Sequence, residues 1–174
     1  MTLQEFKSNF GGQDLPNDML LLFDFQDKFG AESYVAGFGL LQDDKCGLQY
    51  GWSDNNDFLN ALMPFAQAGE GSIYCLWDNG TSQELNQMPI VYFDSEGDGE
   101  TIIARNFLEF LQVLLLEDDK SEWKPEHYPE FKQFVTYLFE SLKLEISQNT
   151  DAIVIACKPF QENFDTWKNQ YLNS

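Results

Sequence analysis

Histidine and arginine are nearly missing from this chain: His127 and Arg105 are the sole examples of each. A single histidine cannot build a His-rich metal site, and a Cys–His dyad would require His127 to meet one of three scattered thiols. Its place between Pro125 and Pro129 suits a surface linker instead. One arginine leaves phosphate or oxyanion chemistry with little cationic equipment, and the charge balance disfavours direct nucleic-acid binding. There is no Gly-rich phosphate loop, no nucleophile elbow and no zinc-type cysteine spacing. Cys46, Cys75 and Cys157 are odd in number and far apart, which suits a reducing compartment better than a disulfide framework. Apolar runs such as Ala152 to Cys157 fall far short of the ~20 residues a bilayer demands, and MTLQEFKSNFGG lacks the basic-then-apolar order of a signal peptide. These absences lead us to expect a cytoplasmic protein with no membrane segment, no cofactor and no resident metal.

What the chain has in excess is negative charge. Its 29 acids outnumber its 10 bases, for a formal net charge of −19 over 174 residues. Residues 1–120 hold 21 acids and 5 bases, a net of −16, whereas 121–174 hold 8 and 5, a net of −3. Such a surplus weakens the compact state by self-repulsion while raising solubility and encounter rates with cationic partners. Disorder is not its explanation: 16 Phe, 7 Tyr and 4 Trp within a 43% hydrophobic composition are ample for a packed core.

Periodicity gives the elements. LPNDMLLLFDFQDKF at 15–29 sets Leu15, Met19, Leu22, Phe23 and Phe25 or Gln26 at helical spacing, with Pro16 in the first turn and Gly30 as the stop. YVAGFGLL at 34–41 reads as a strand in which Gly37 and Gly39 weaken pairing or mark a close backbone approach. Residues 54–68 read as a second helix with Asp54 as its cap, Phe58, Leu59, Leu62 and Phe65 inward, and Pro64 as a kink or early end. SIYCLW at 72–77 is a strand running into the turn Asp78-Asn79-Gly80. PIVYF at 89–93 and TIIA at 101–104, joined by DSEGDGE, read as an antiparallel pair, and 106–116 returns to helical spacing. Beyond a two-proline linker, 129–145 reads as a long helix, DAIVIAC at 151–157 as a buried strand, and Pro159 as the opening of a last helix. Phe160, Phe164, Trp167 and Tyr171 line that helix as an aromatic stripe, either core or the groove of a homodimer or partner.

The succession LPNDMLLLFDFQDKFG, LMPFAQAGEGSIYCLWDNG and MPIVYFDSEGDGETIIARNFLEFLQVLL resembles the SUKH superfamily over roughly residues 12–116. That superfamily groups fungal cell-wall assembly regulators with many bacterial toxin-immunity proteins. The resemblance implies an α+β fold, a central, largely antiparallel sheet flanked by helices, with residues 121–174 as a C-terminal helical extension packed on a core of residues 1–120. It also implies a protein-binding scaffold without an active site. Leu15, Pro16, Phe29 and Gly30 would set the first helix, while Trp77, Pro89, Val91, Phe93, Phe107 and Phe110 would pack sheet against helix, Trp77 being the one that could also meet a partner.

In this reading the charge acquires a partner, a basic protein that is most simply a toxin domain. A nuclease toxin holds a polyanion in a basic cleft, which an acidic protein can imitate. Candidate contacts are acids on loops: Asp43, Asp44, Asp54 and Asp57 in one segment, and Asp94, Glu96, Asp98 and Glu100 in one hairpin. That hairpin satisfies the first half of an EF-hand spacing, but Arg105 stands where the bidentate Glu should be. A regulatory scaffold without a toxin partner remains open, as does a hydrolase using a carboxylate pair, since with this many acids some pair always lies close. The chain reads equally as monomer or homodimer.

Overall fold

The computed structural model describes residues 1–43, 45–81, 84–96, 99–120, 129–144 and 151–172. In chain order the elements are α1 (Leu3–Ser8), α2 (Asn17–Phe29), β1 (Gly39–Leu40), α3 (Cys46–Gly51), α4 (Asn56–Asn60), β2 (Leu62–Gln67), β3 (Ile73–Trp77), β4 (Ile90–Phe93), β5 (Glu100–Ala104), α5 (Phe107–Lys120), α6 (Phe131–Leu142) and α7 (Asp151–Leu172). A 3-10 turn, Leu85–Gln87, lies in the link from β3 to β4. The strands form one antiparallel sheet in the order β1-β2-β3-β4-β5, so each pairs with its neighbour in sequence.

Side-chain alternation sorts the sheet into two covered faces. Along β3, Tyr74 and Leu76 join a core with α1, α2, α5 and α6, while Ile73, Cys75 and Trp77 join a second core with α3, α4 and α7. All five residues of β3 are buried, which is why its sequence is apolar throughout instead of alternating with polar residues. The first face is built on Met19, Leu22 and Phe25 from α2, Phe107, Phe110 and Leu114 from α5, and Phe134 and Leu138 from α6. The second receives Leu48, Phe58, Ile153, Cys157 and Phe164. Phe164 meets Trp77 edge-on at 5.1 Å, and Trp167 stacks on Phe58 at 5.3 Å. Of the aromatic stripe of α7, Phe164 is buried core, and Phe160, Trp167 and Tyr171 are partly buried against it.

Three expectations are corrected. Residues 54–68 are not one helix: α4 ends at Asn60 and residues 62–67 are strand β2, so Pro64 lies in a strand and kinks no helix. Phe58, Leu62 and Phe65 keep helical spacing only by coincidence, since Phe58 and Leu62 enter the second core and Phe65 the first, across the sheet. A bulge between Pro64 and Ala66 puts Phe65 and Ala66 on the same face. The helix cap is Asn55, whose Oδ1 accepts from the Asp57 and Phe58 amides, and not Asp54. Second, 34–41 contributes only the two residues of β1, the stretch before it being turns. The close approach expected there is real: a Cβ on Gly37 would lie 3.1 Å from the Gly69 nitrogen, and one on Gly69 3.2 Å from the Gly37 Cα. Third, 151–157 is helical and Pro159 sits inside α7. The β-branched run is a helix start that buries Ile153 and leaves Val154 and Ile155 exposed.

Both edges of the sheet are closed by a glutamine. At β1, Gln26 of α2 accepts from the Leu40 amide through Oε1 (2.7 Å) and donates through Nε2 to the Leu40 carbonyl (3.3 Å). At β5, Gln161 of α7 accepts from the Ile102 amide (2.7 Å) and donates to the Glu100 carbonyl (3.1 Å). Each carboxamide stands where a neighbouring strand would place its own peptide group.

Candidate functional site

With faces and edges covered, the loops at the ends of the sheet remain for recognition. At one end lie the turn from β2 to β3 (68–72) and the turn from β4 to β5 (94–99). Ser95 links them: its amide donates to Ser72 Oγ at 3.0 Å and its hydroxyl to the Glu70 carbonyl at 3.1 Å. Asp94 Oδ1 accepts from the Glu96 amide at 2.7 Å, and the Asp94 amide donates to the Gly99 carbonyl at 3.2 Å, with Gly99 at φ +110°. Tyr92 donates its hydroxyl to Glu70 Oε1 at 2.6 Å. That bond holds the Glu70 carboxyl below its ordinary pKa, while partial burial and the same bond push the Tyr92 phenol up to about 12. Glu70 is thus a fixed, ionised carboxylate beside the two predicted acids Asp94 and Glu96.

The segment 43–57 reaches the same end through α3. A Cβ on Gly47 would come within 2.9 Å of Ile73 Cδ1, so α3 lies against the first residue of β3. Trp52, next along, meets Phe93 edge-on at 5.0 Å, one residue before Asp94. Two acidic stretches some forty residues apart in sequence are joined by that contact. Tyr50 projects from α3 with 90% of its surface exposed, and Asp54 is exposed two residues past Trp52.

The remaining predicted acids fare differently. Asp57 is exposed in the first turn of α4, which leads into the Leu62–Trp77 end of the sheet, opposite the 94–99 turn. Asp43 is half-buried, with its Oδ1 accepting from the Lys45 amide (2.8 Å) and its own amide donating to Asn9 (3.0 Å). Glu100 is taken by Lys168 of α7, with both side chains largely shielded. Burial opposes the charge of Lys168, but its bonds to Glu100 and Asp165 outweigh that and raise its pKa. Asp44 and Asp98 lie outside the described residues, as do residues 121–128, which hold His127 and most of the two-proline linker.

Sequence reasoning missed Glu70 and Tyr50. Glu70 stands between Gly69 and Gly71 in a turn whose position became clear only once 62–67 proved to be a strand. Tyr50 looks like any aromatic of an amphipathic helix. A third residue, Asp18 in the first turn of α2, is 4% exposed. Asn86 donates to both its oxygens (3.2 and 3.0 Å), and the Met19 amide donates to Oδ1. Burial nonetheless lifts its pKa above the ordinary 3.8.

Among the described residues, chemically reactive arrangements are scarce. Cys46 is exposed, and Cys75 and Cys157 are buried. Burial raises the pKa of Cys75 strongly and that of Cys157 to about 11, so both remain neutral thiols and poor nucleophiles. Arg105 is committed to Glu109 within α5's first turn. Among the described residues, no three His, Cys, Asp or Glu side chains gather as metal ligands would, and no helix is long and apolar enough to cross a membrane.

No curated protein shows significant similarity to the chain. A family does: the SMI1 / KNR4 family (SUKH-1) matches residues 2–113, from α1 into α5. The family match takes in the whole five-stranded sheet together with α1 to α4 and both turns of the acidic end, and so the chain belongs to the SMI1 / KNR4 family (SUKH-1).

Proposed function

We propose that this protein binds a basic protein partner through the acidic end of its sheet, and that it serves as an immunity protein neutralising a toxin domain. The observation that carries the reading is the Trp52–Phe93 contact, which unites α3 with the hairpin of Asp94 and Glu96 beside Glu70. Fixed carboxylates of one sign raise the local concentration of a cationic partner and orient it. Tyr50 then supplies an exposed aromatic of the type that dominates interface energies once buried. In this reading residues 1–120 carry recognition and 121–174 pack beneath them. Asp54, Glu70, Asp94 and Glu96 set encounter rate, Tyr50 sets residence time, and Asp43, Asp57 and Glu100 contribute to the field alone. Family membership supports the choice of a binding role over catalysis, because the superfamily includes immunity proteins.

The test is co-expression with a toxin domain encoded beside this chain, followed by stopped-flow association between about 0.05 and about 0.5 M salt. Protection of the host cell is expected, together with an association rate that falls by roughly tenfold or more across that range. The triple variant Glu70→Gln, Asp94→Asn, Glu96→Gln should slow association and flatten the salt dependence, and Tyr50→Ala should speed dissociation. A salt-independent rate removes the electrostatic mechanism, and binding without protection removes the immunity role.

A further inference from the structure

Asn79-Gly80 is the only Asn-Gly pair in the sequence, and it stands in the turn that leaves β3. In such a pair a peptide nitrogen can attack the preceding side-chain amide with little hindrance, because glycine sets no Cβ in the path of approach. Gly80 is exposed, at φ +78°. Both reacting groups are held. The Gly80 amide donates to Asp78 Oδ1 at 2.9 Å, and Asn79 Oδ1 accepts from the Thr81 amide at 3.3 Å and from the Thr81 hydroxyl at 2.8 Å. A peptide N–H only donates, so the Thr81 amide identifies the bonded atom of Asn79 as oxygen and leaves Nδ2 as the group that can depart. Asp78 is anchored in its turn by its own amide, which donates to the Ala61 carbonyl at 2.8 Å.

We propose that Asn79 is a deamidation site whose rate is set by Asp78. Ring closure begins when the Gly80 nitrogen loses its proton and attacks Asn79 Cγ with the in-plane electron pair the proton leaves behind. The Asp78 carboxylate lies in that direction, so its bond to Gly80 must break before the nitrogen can turn to Cγ. The N–Cγ bond then forms and the Cγ–Nδ2 bond breaks. Nδ2 departs as ammonia, taking up the proton that Gly80 lost, and a five-membered imide remains. Water opens that imide with no change of oxidation state. Opening at Cγ gives an aspartate in place, whereas opening at the main-chain carbonyl of residue 79 gives an isoaspartate, which lengthens the backbone by one carbon. Either product adds one negative charge to the net −19, two residues beyond the buried Trp77. This reading is independent of the partner proposed above, since the turn lies at the opposite end of the sheet from Asp94 and Glu96.

The experiment incubates the full chain at neutral pH and body temperature, beside the same chain unfolded in guanidinium and beside the variants Asp78→Ala and Asp78→Asn. The peptide that carries Asn79 is followed by mass spectrometry, with enzymatic methylation to count isoaspartate. Asp78 is exposed, and cooperative melting of both variants is the control for folding. The comparison of folded with unfolded chain needs no variant to fold. The folded natural chain should react about tenfold more slowly than the unfolded one, and Asp78→Ala should recover most of that difference. Asp78→Asn keeps an oxygen that accepts from Gly80 and should stay close to the natural rate. A folded natural chain as fast as the unfolded one, Asp78→Ala no faster than the natural chain, or Asp78→Asn as fast as Asp78→Ala overturns the proposal.

Discussion

The two faces of the sheet are covered in different ways. The first is closed by α2 and α5, both starting within the family-matched residues, with α6 added across α2, where Phe25 meets Phe134 at 4.9 Å. From the matched residues the second receives α3 and α4, helices of six and five residues, and Val113 of α5, and its longest helix is α7, which begins 38 residues after the match ends. The segment shared with the family therefore brings one face covered by long helices and one covered only in part. Trp77 and Phe93, both buried, pack against Phe164, and Trp77 against Trp167 as well. The extension is as structural as the matched core.

The strongest way to break this comparison is to delete residues 151–174. The expected result is loss of the cooperative melt by circular dichroism with strong binding of a hydrophobic dye, the signature of an uncovered sheet face. A truncated chain that melts like the full one would show that α3 and α4 suffice. Next in size, Phe164→Ala and Phe110→Ala compare single rings from the two faces, each fully buried against several aromatics. Both should cost about 3–5 kcal/mol in denaturant unfolding. A loss below about 1 kcal/mol for Phe164→Ala alone would make α7 a loose cover and not part of the core.

A smaller effect separates the faces by pH. Asp18 lies on the α2 side, and its raised pKa means the folded chain holds its proton more tightly than the unfolded one. The stability this group contributes is fully present below 3.8 and is lost as pH rises through the elevated value. Glu70, with its lowered pKa, contributes in the opposite sense, its stability present above 4.5 and lost as pH falls through the depressed value. Unfolding midpoints measured against pH for the natural chain and for Asp18→Asn should therefore diverge, the variant lacking the gain on acidification. Parallel curves would place the Asp18 carboxyl in water. Least of all, Asn55→Ala should cost about 1 kcal/mol by uncapping α4, the small helix that carries Phe58 to the second face.

What could be read from sequence was what one local rule decides. α2 spans the predicted stretch because spacing, Pro16 and Gly30 agree, the last at φ +93°. β3, β4 and β5 are where their apolar runs fall, and the Asp78-Asn79-Gly80 turn forms with the Gly80 amide donating to Asp78 Oδ1. The errors arise where two rules compete. In 54–68 the 3-4 spacing of Phe58, Leu62 and Phe65 concealed a strand whose residues serve both faces. In 151–157 β-branched residues suggested a strand, yet Ile153, Cys157, Phe160 and Phe164 continue one helical stripe straight through Pro159. At the candidate site, sequence supplied the acids but not their grouping. Nothing in the spelling of Trp52 foretells Phe93, and nothing marks Glu100 as the partner of Lys168. Gln26 and Gln161 were equally silent, because a glutamine that closes a sheet edge is written like one that faces water.

The crossing of Gly37 and Gly69 restricts how this sequence can diverge. Most buried contacts drift by exchange, a larger side chain on one side compensated by a smaller one on the other. Here backbone lies against backbone with no side chain to shrink, and Gly37 is also at φ +58°. A Cβ on either residue has no compensating substitution opposite it, so the two positions cannot trade volume and each is constrained separately. Relatives that keep this crossing should keep both glycines, and a lineage that loses one should show a rebuilt path for the whole approach to β1.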